Sequence, residues 1–147
     1  DPTRVQEHSE LIFLDKVLTE IVSEYDFFAT NKNVTILLAE MPNVEIFSPL
    51  PMVKCALGNL LRNALEHSHG GDIVITLEPD STVTIKNKNK ELTMQEISEL
   101  YGRLARKNGR NGGGLGLDLI GRLSIHCNWT LTFIPDAETI TFSIKFS

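Results

Sequence analysis

The stretch Asn111-Gly-Gly-Gly-Leu-Gly-Leu117 constrains this chain more than any other, because its four glycines lead straight into an apolar pattern of helical spacing from Leu115 to Cys127. Glycine lets the backbone take positive φ and approach a ligand closely. The helix start that follows offers unpaired N–H donors and the positive end of a dipole. A plain flexible loop is the simplest account of such a cluster, and an anion-binding turn is the more specific one. Two familiar phosphate loops fail on spacing. No Gly-Lys-Ser/Thr follows the glycines, as a P-loop requires. A dinucleotide fingerprint starting at Gly112 needs glycine at 117, where Leu117 stands, and no strand pattern runs into the loop.

Charge strengthens the anion reading. The 147 residues hold 14 Lys and Arg against 19 Asp and Glu, a net of −5, which argues against nucleic acid as a partner. Residues 1–50 carry three basic side chains against nine acidic ones. Residues 86–110 reverse the sign with seven basic (Lys86, Lys88, Lys90, Arg103, Arg106, Lys107, Arg110) against three acidic. A basic segment inside an acidic chain, running into glycines, points to a local anionic ligand. No run approaches the roughly 18 apolar residues of a membrane-spanning helix. Periodic apolar segments over most of the length exclude disorder. Cys55 and Cys127 form no C-x-x-C pair; a reducing compartment fits, and a single disulfide between them stays open. Because the first residue is Asp1 and not Met, the chain reads as a piece of a longer protein.

Helical and strand patterns alternate along the chain. Leu14, Val17, Leu18, Ile21, Val22 and Tyr25 predict an amphipathic helix from Asp15 to about Thr30. Val34–Ala39 and Val44–Phe47 read as strands, with Met41-Pro42-Asn43 turning between them. Pro49 and Pro51 open a helix to about His67, striped by Val53, Ala56, Leu57, Leu60, Leu61, Ala64 and Leu65 and ended by Gly70-Gly71. Asp72–Leu77 and Thr82–Lys86 form a hairpin through Pro79-Asp80, and Trp129–Ile134 with Thr139–Phe146 form another. Thr93 and Glu96 make a capping box for a short helix to about Leu104. The expected fold is an α/β sandwich, with about three helices on one face of a mixed, mostly antiparallel sheet of about five strands.

A second constellation is Asn59-Leu-Leu-Arg-Asn63-Ala-Leu-Glu-His67-Ser68. Asn59 and Asn63 are four apart and share a helix face. A carboxamide oxygen is a hard neutral ligand suited to Mg²⁺, which keeps waters and takes further ligands from phosphate. Taken alone, two such asparagines would as readily satisfy nearby backbone groups.

In this order, Asn59–Ser68 followed some fifty residues later by G-x-G-L-G-L resembles the catalytic, ATP-binding domain of sensor histidine kinases, in the superfamily with gyrase, Hsp90 and MutL ATPase domains. The resemblance runs from about Phe13 to the C-terminus, with residues 1–13 as the end of a linker and 14–147 as the domain. Asn59–Ser68 is similar to the N box, Lys86-Asn-Lys-Asn89 to the G1 box, Leu100–Arg106 to a weakened F box and Gly112–Leu117 to the G2 box. The resemblance implies a Bergerat-type fold and the cofactors ATP and Mg²⁺. It gives Asn63 to the metal, with Asn59 beside it as a second catalytic group, and sets His67 against the nucleotide. Asn87 and Asn89 would face the adenine, and Gly112, Gly114 and Gly116 would bring backbone amides to the phosphates, with Leu115 and Leu117 packing the loop's base. Arg106, Lys107 and Arg110 would neutralise phosphate from a lid over about residues 103–113.

Three positions depart from the family's pattern: Asn87 stands for an aspartate, Asn89 for a glycine and Glu66 for a basic residue. Asn87 can accept a hydrogen bond but loses its charge-assisted part. These departures imply nucleotide binding weaker than is usual for the family. His8 lacks the flanking Arg and Pro of a phosphoacceptor motif, so the accepting histidine is expected in a dimerisation domain outside this chain, and a receiver domain of a response regulator would follow it. His67 and His69 have no third ligand at zinc spacing. His126 reads as a packing or capping residue. The resemblance also implies a cytoplasmic domain of an inner-membrane sensor, without membrane contact of its own. A regulatory protein-interaction module with a decayed nucleotide site is the competing reading; Asn87 and Asn89 favour it, while the intact G2 box and Asn63 favour the enzyme.

Overall fold

The computed structural model describes residues 8–68, 70–88, 98, 99, 102, 115–136 and 138–147. Elements follow in the order β1 (Glu10–Phe13), α1 (Leu14–Asn31), β2 (Val34–Leu38), β3 (Glu45–Ser48), α2 (Leu50–His67), β4 (Gly71–Leu77), β5 (Thr82–Lys88), α3 (Leu115–Cys127), β6 (Thr130–Pro135) and β7 (Thr139–Lys145).

The helix α2 begins where proline allows it. Pro49 is extended at the N-cap and Pro51 sits in the first turn, where a missing N–H leaves no hydrogen bond unmade. All seven stripe residues, Val53 through Leu65, are buried. At the other end Lys32 Nζ donates to the carbonyls of Leu65 (2.6 Å) and Glu66 (3.3 Å). A cation on the last, unpaired carbonyls complements the helix dipole. Gly70 and Gly71 then turn the chain with φ of 82° and 76°, which side-chain-bearing residues rarely adopt.

Five strands form one sheet in the order β2-β4-β5-β7-β6. Only β2 and β4 run parallel. Alternation sends Ile73, Ile75 and Leu77 of β4, Val83 and Ile85 of β5, and Ile140, Phe142 and Ile144 of β7 to one buried face. The register aligns them in rows, Ile75–Ile85–Phe142 and Leu77–Val83–Ile144. The opposite face carries Thr76, Thr84, Lys86, Thr141 and Ser143, and the Thr76 and Thr84 hydroxyls hydrogen-bond across it. The apolar face takes the helices, α1 over β2, α2 over β5 and α3 beside β6. The expected sandwich is therefore present. Among the described residues, no helix is long and apolar enough to cross a membrane.

Two features differ from the sequence expectation. Glu10–Phe13, within the stretch assigned to a linker, is a strand pairing antiparallel with β3 as a separate two-stranded sheet, and its Ile12 is buried in the core. The turn at Met41-Pro42-Asn43 accordingly separates β2 and β3 into different sheets. Of the helix expected from Thr93 to about Leu104, Ser98, Glu99 and Gly102 are described and are helical, and the rest lies outside the described residues. Cys55 and Cys127 are both free, so the open disulfide is not formed.

Leu60 is 1% exposed and Leu37 43% exposed. In thermal or denaturant unfolding, Leu60→Ala is expected to remove about 3 kcal/mol of stability, and Leu37→Ala less than about 0.5 kcal/mol.

Candidate functional site

The face of α2 turned from its stripe carries the two asparagines, and their surroundings separate them. Asn59 is tied at both ends of its amide. Its Nδ2 donates to the Cys55 carbonyl at 2.6 Å, and its Oδ1 accepts from Arg62 Nη2 at 2.7 Å. Asn63, one turn on, is half-buried, and its carboxamide has no hydrogen-bond partner among the described residues. His67 and Glu66 at the end of the helix are exposed. Helical spacing put both asparagines on one side; contacts within the helix itself engage Asn59 and, among the described residues, leave the Asn63 amide unengaged.

The start of α3 lies at the same end. Cys127 Sγ meets Met52 Sδ at 3.5 Å, so the end of α3 touches the beginning of α2. Since these helices pack along each other, they run antiparallel, and the first turn of α3 flanks the second half of α2. Leu115 and Gly116 belong to that turn, and Leu117 is 1% exposed, packed in the core as a loop base requires. Burial pushes the Cys127 thiol pKa up, which leaves it a packing residue. Asn89, Arg106, Lys107, Arg110, Gly112 and Gly114 lie outside the described residues.

Asn87 completes this end. It follows Val83 and Ile85 on the inward face of β5 and is 2% exposed, between Ile73 and Ile140 on the neighbouring strands. It thus puts one amide into an otherwise apolar row. Its Nδ2 donates, at a long 3.4 Å, to the Lys88 carbonyl, and among the described residues nothing donates to its Oδ1. Asn87 pairs in register with Ile73, near the start of the strand that follows α2. Asn63, the start of α3 and Asn87 are thus carried by three elements, of which α2 packs against both of the others.

Asp118 was not singled out in the sequence. It is fully buried in α3, and neither carboxylate oxygen has a partner among the described residues. The signal for it was available: Leu117, Ile120, Gly121 and Ser124 mark the inward side of the helix, and an acid at 118 falls beside them.

These groups suit a magnesium nucleotide. Asn63 offers an uncommitted hard oxygen, the α3 start offers N–H donors for phosphate, and Asn87 offers a sheltered amide for a base. No group of three or more His, Cys, Asp or Glu among the described residues could cage a metal alone.

Comparison with known proteins gives the family and the fold. Residues 52–147 match the family described as histidine kinase-, DNA gyrase B- and HSP90-like ATPases. The heme sensor protein HssS of Staphylococcus aureus is 26% identical over 148 residues, covering 95% of this chain and 32% of its own length. The chain thus spans about a third of the curated relatives it matches. Among solved structures, the Acinetobacter baumannii histidine kinase AdeS superposes with a TM-score of 0.76 at 17% identity, over 95% of this chain and 66% of that one. The nucleotide-free catalytic domain of histidine kinase ThkA gives 0.76 at 14% identity, over 92% of each. The mycobacterial sensor histidine kinase MprB gives 0.73 at 16%, over 92% of this chain and 95% of that one. The chain belongs to the histidine kinase-, DNA gyrase B- and HSP90-like ATPase family, and its fold, the Bergerat fold, is that of a histidine kinase catalytic domain.

Proposed function

We propose that this domain binds Mg-ATP where α2, α3 and β5 converge and serves as the catalytic part of a sensor kinase. The γ-phosphoryl group goes to a histidine in a dimerisation domain outside the chain, and from there to the receiver domain of a response regulator. The observation that carries this reading is the half-buried Asn63 carboxamide, without a hydrogen-bond partner among the described residues, on a helix packed against α3. Asn63 would hold the ion through its oxygen. Asn59, fixed by Cys55 and Arg62, would orient water in the ion's outer shell. When bound, the ion supplies charge neutralisation and alignment of the phosphates. Backbone amides from Gly112 to Gly116 would take the phosphate oxygens, and Arg106, Lys107 and Arg110 would add positive charge from the lid. His67 would lie against the nucleotide and Asn89 close the adenine end. A cytoplasmic location in an inner-membrane sensor belongs to the same reading.

No residue of the domain is needed as a general base, because a neutral imidazole nitrogen is already a nucleophile. Catalysis then rests on positioning and electrostatics. The intact G2 box and Asn63 weigh against the alternative of a decayed regulatory module, and Asn87 can still serve as an acceptor. Its NH₂ group is turned to Lys88, which leaves its oxygen for the adenine amino group.

Asn63→Ala is expected to abolish Mg²⁺-dependent ATP and ADP binding in titration calorimetry while leaving the melting temperature within a few degrees. Retained binding would remove the metal role. Asn87→Asp, which restores a charge-assisted acceptor, is expected to raise ADP affinity several-fold over GDP in the same assay. With radiolabelled ATP the chain alone is expected to stay unlabelled, and a dimerisation domain added in trans to become labelled; strong labelling of the chain by itself would contradict this.

A further inference from the structure

Arg62 is exposed on α2, yet its guanidinium takes a neutral partner. One turn beyond it stands Glu66, the acid that helical spacing favours as its ion-pair partner. No ion pair joins the two among the described residues. Arg62 Nη2 donates instead to Asn59 Oδ1 at 2.7 Å, three residues back. The guanidinium is thereby held against the helix side that Asn59 shares with Asn63.

That bond has a directional consequence. A carboxamide is nearly symmetric in shape, so its orientation is chosen by what its two ends meet. At Asn59 both neighbours choose alike. The Cys55 carbonyl can only accept, and takes Nδ2 at 2.6 Å; the guanidinium can only donate, and takes Oδ1. A reversed amide would set oxygen against oxygen and NH₂ against N–H donors. Without Arg62 one of the two determinants goes, and the oxygen of a half-buried amide loses the donor it has among the described residues.

We propose that Arg62 is a positioning residue for the magnesium nucleotide: through this hydrogen bond, and not through its charge, it locks the Asn59 amide in the orientation that orders water around the ion. The inference rests on the nucleotide reading of the site and adds to it the residue that holds Asn59 ready. Asn63 would touch the ion; Arg62 acts one step removed, through Asn59.

The test uses the whole chain as wild type, Arg62→Ala, Arg62→Gln, Asn59→Ala and the variant combining Arg62→Ala with Asn59→Ala. In the ligand-free chain, ¹⁵N–¹H spectra read the Asn59 side-chain NH₂ group, assigned by its loss in Asn59→Ala. It is expected to be rigid and slow to exchange with solvent in wild type. In Arg62→Ala it is expected to be mobile, with the melting temperature within a few degrees of wild type. Calorimetry in excess Mg²⁺ then reads ADP affinity. Arg62→Ala is expected to bind about fivefold more weakly, the loss of one hydrogen bond. The double variant is expected to match Asn59→Ala within about twofold, since both remove the same interaction. Arg62→Gln keeps an N–H donor within helical reach and drops the charge, so it is expected to recover affinity to within about twofold of wild type. Losses that multiply in the double variant, or a Gln variant as weak as the Ala variant, overturn the proposal, because the guanidinium then acts by its charge. An Asn59 amide equally mobile in wild type and Arg62→Ala overturns it and leaves the nucleotide reading standing. A wild-type chain that binds no ADP with Mg²⁺ overturns that reading itself, so the two failures are distinguishable.

Discussion

The seating of α2 on the sheet is the contact on which the remaining geometry depends. Seven apolar side chains on one side of this helix are buried, over strands whose inward residues form level rows. Burial of this kind fixes rotation about the helix axis as well as position, because turning the stripe would expose it. Once rotation is fixed, the asparagines at 59 and 63 can face only the side where α3 begins. The polar chemistry of the domain is thus aimed by its oil.

Within that frame, hydrogen bonding distributes the roles. Asn59 spends both ends of its amide on Cys55 and Arg62, so it is rigid and oriented. Asn63, half-buried, keeps its carboxamide without a hydrogen-bond partner among the described residues. Asn87 interrupts an apolar row and turns its NH₂ group to the backbone. Asn63 and Asn87, unlike Asn59, each keep an amide oxygen without a donor among the described residues, a common pattern at binding sites.

Much of this was legible before any coordinates. The stripe of α2, the proline start and glycine end of that helix, and the alternation in β4, β5 and β7 are local patterns, and the elements fall within a residue or two of where they predict. The order of strands was not legible, because pairing β2 with β4 in parallel depends on long-range contacts that periodicity does not encode. Nor was β1, four residues whose strand state exists only through β3. The site divided in the same way. Spacing placed Asn59 and Asn63 on one face, and the partners that tie Asn59, Cys55 and Arg62, lie four and three residues away on the same helix. Asp118 went unremarked although the inward pattern of Leu117, Ile120, Gly121 and Ser124 places it beside the buried side of its helix; its lack of a partner among the described residues is what a sequence cannot show.

The capping lysine has a further consequence. Lys32 follows α1, and β2 covers the open edge of β4, yet both precede residue 52, where the family match begins. The region that announces the family is therefore not self-sufficient: cut free, it would leave one margin of the sheet with bare backbone donors and acceptors and the end of its principal helix uncapped. A transplant of the nucleotide-binding portion into another protein has to bring the preceding forty or so residues with it.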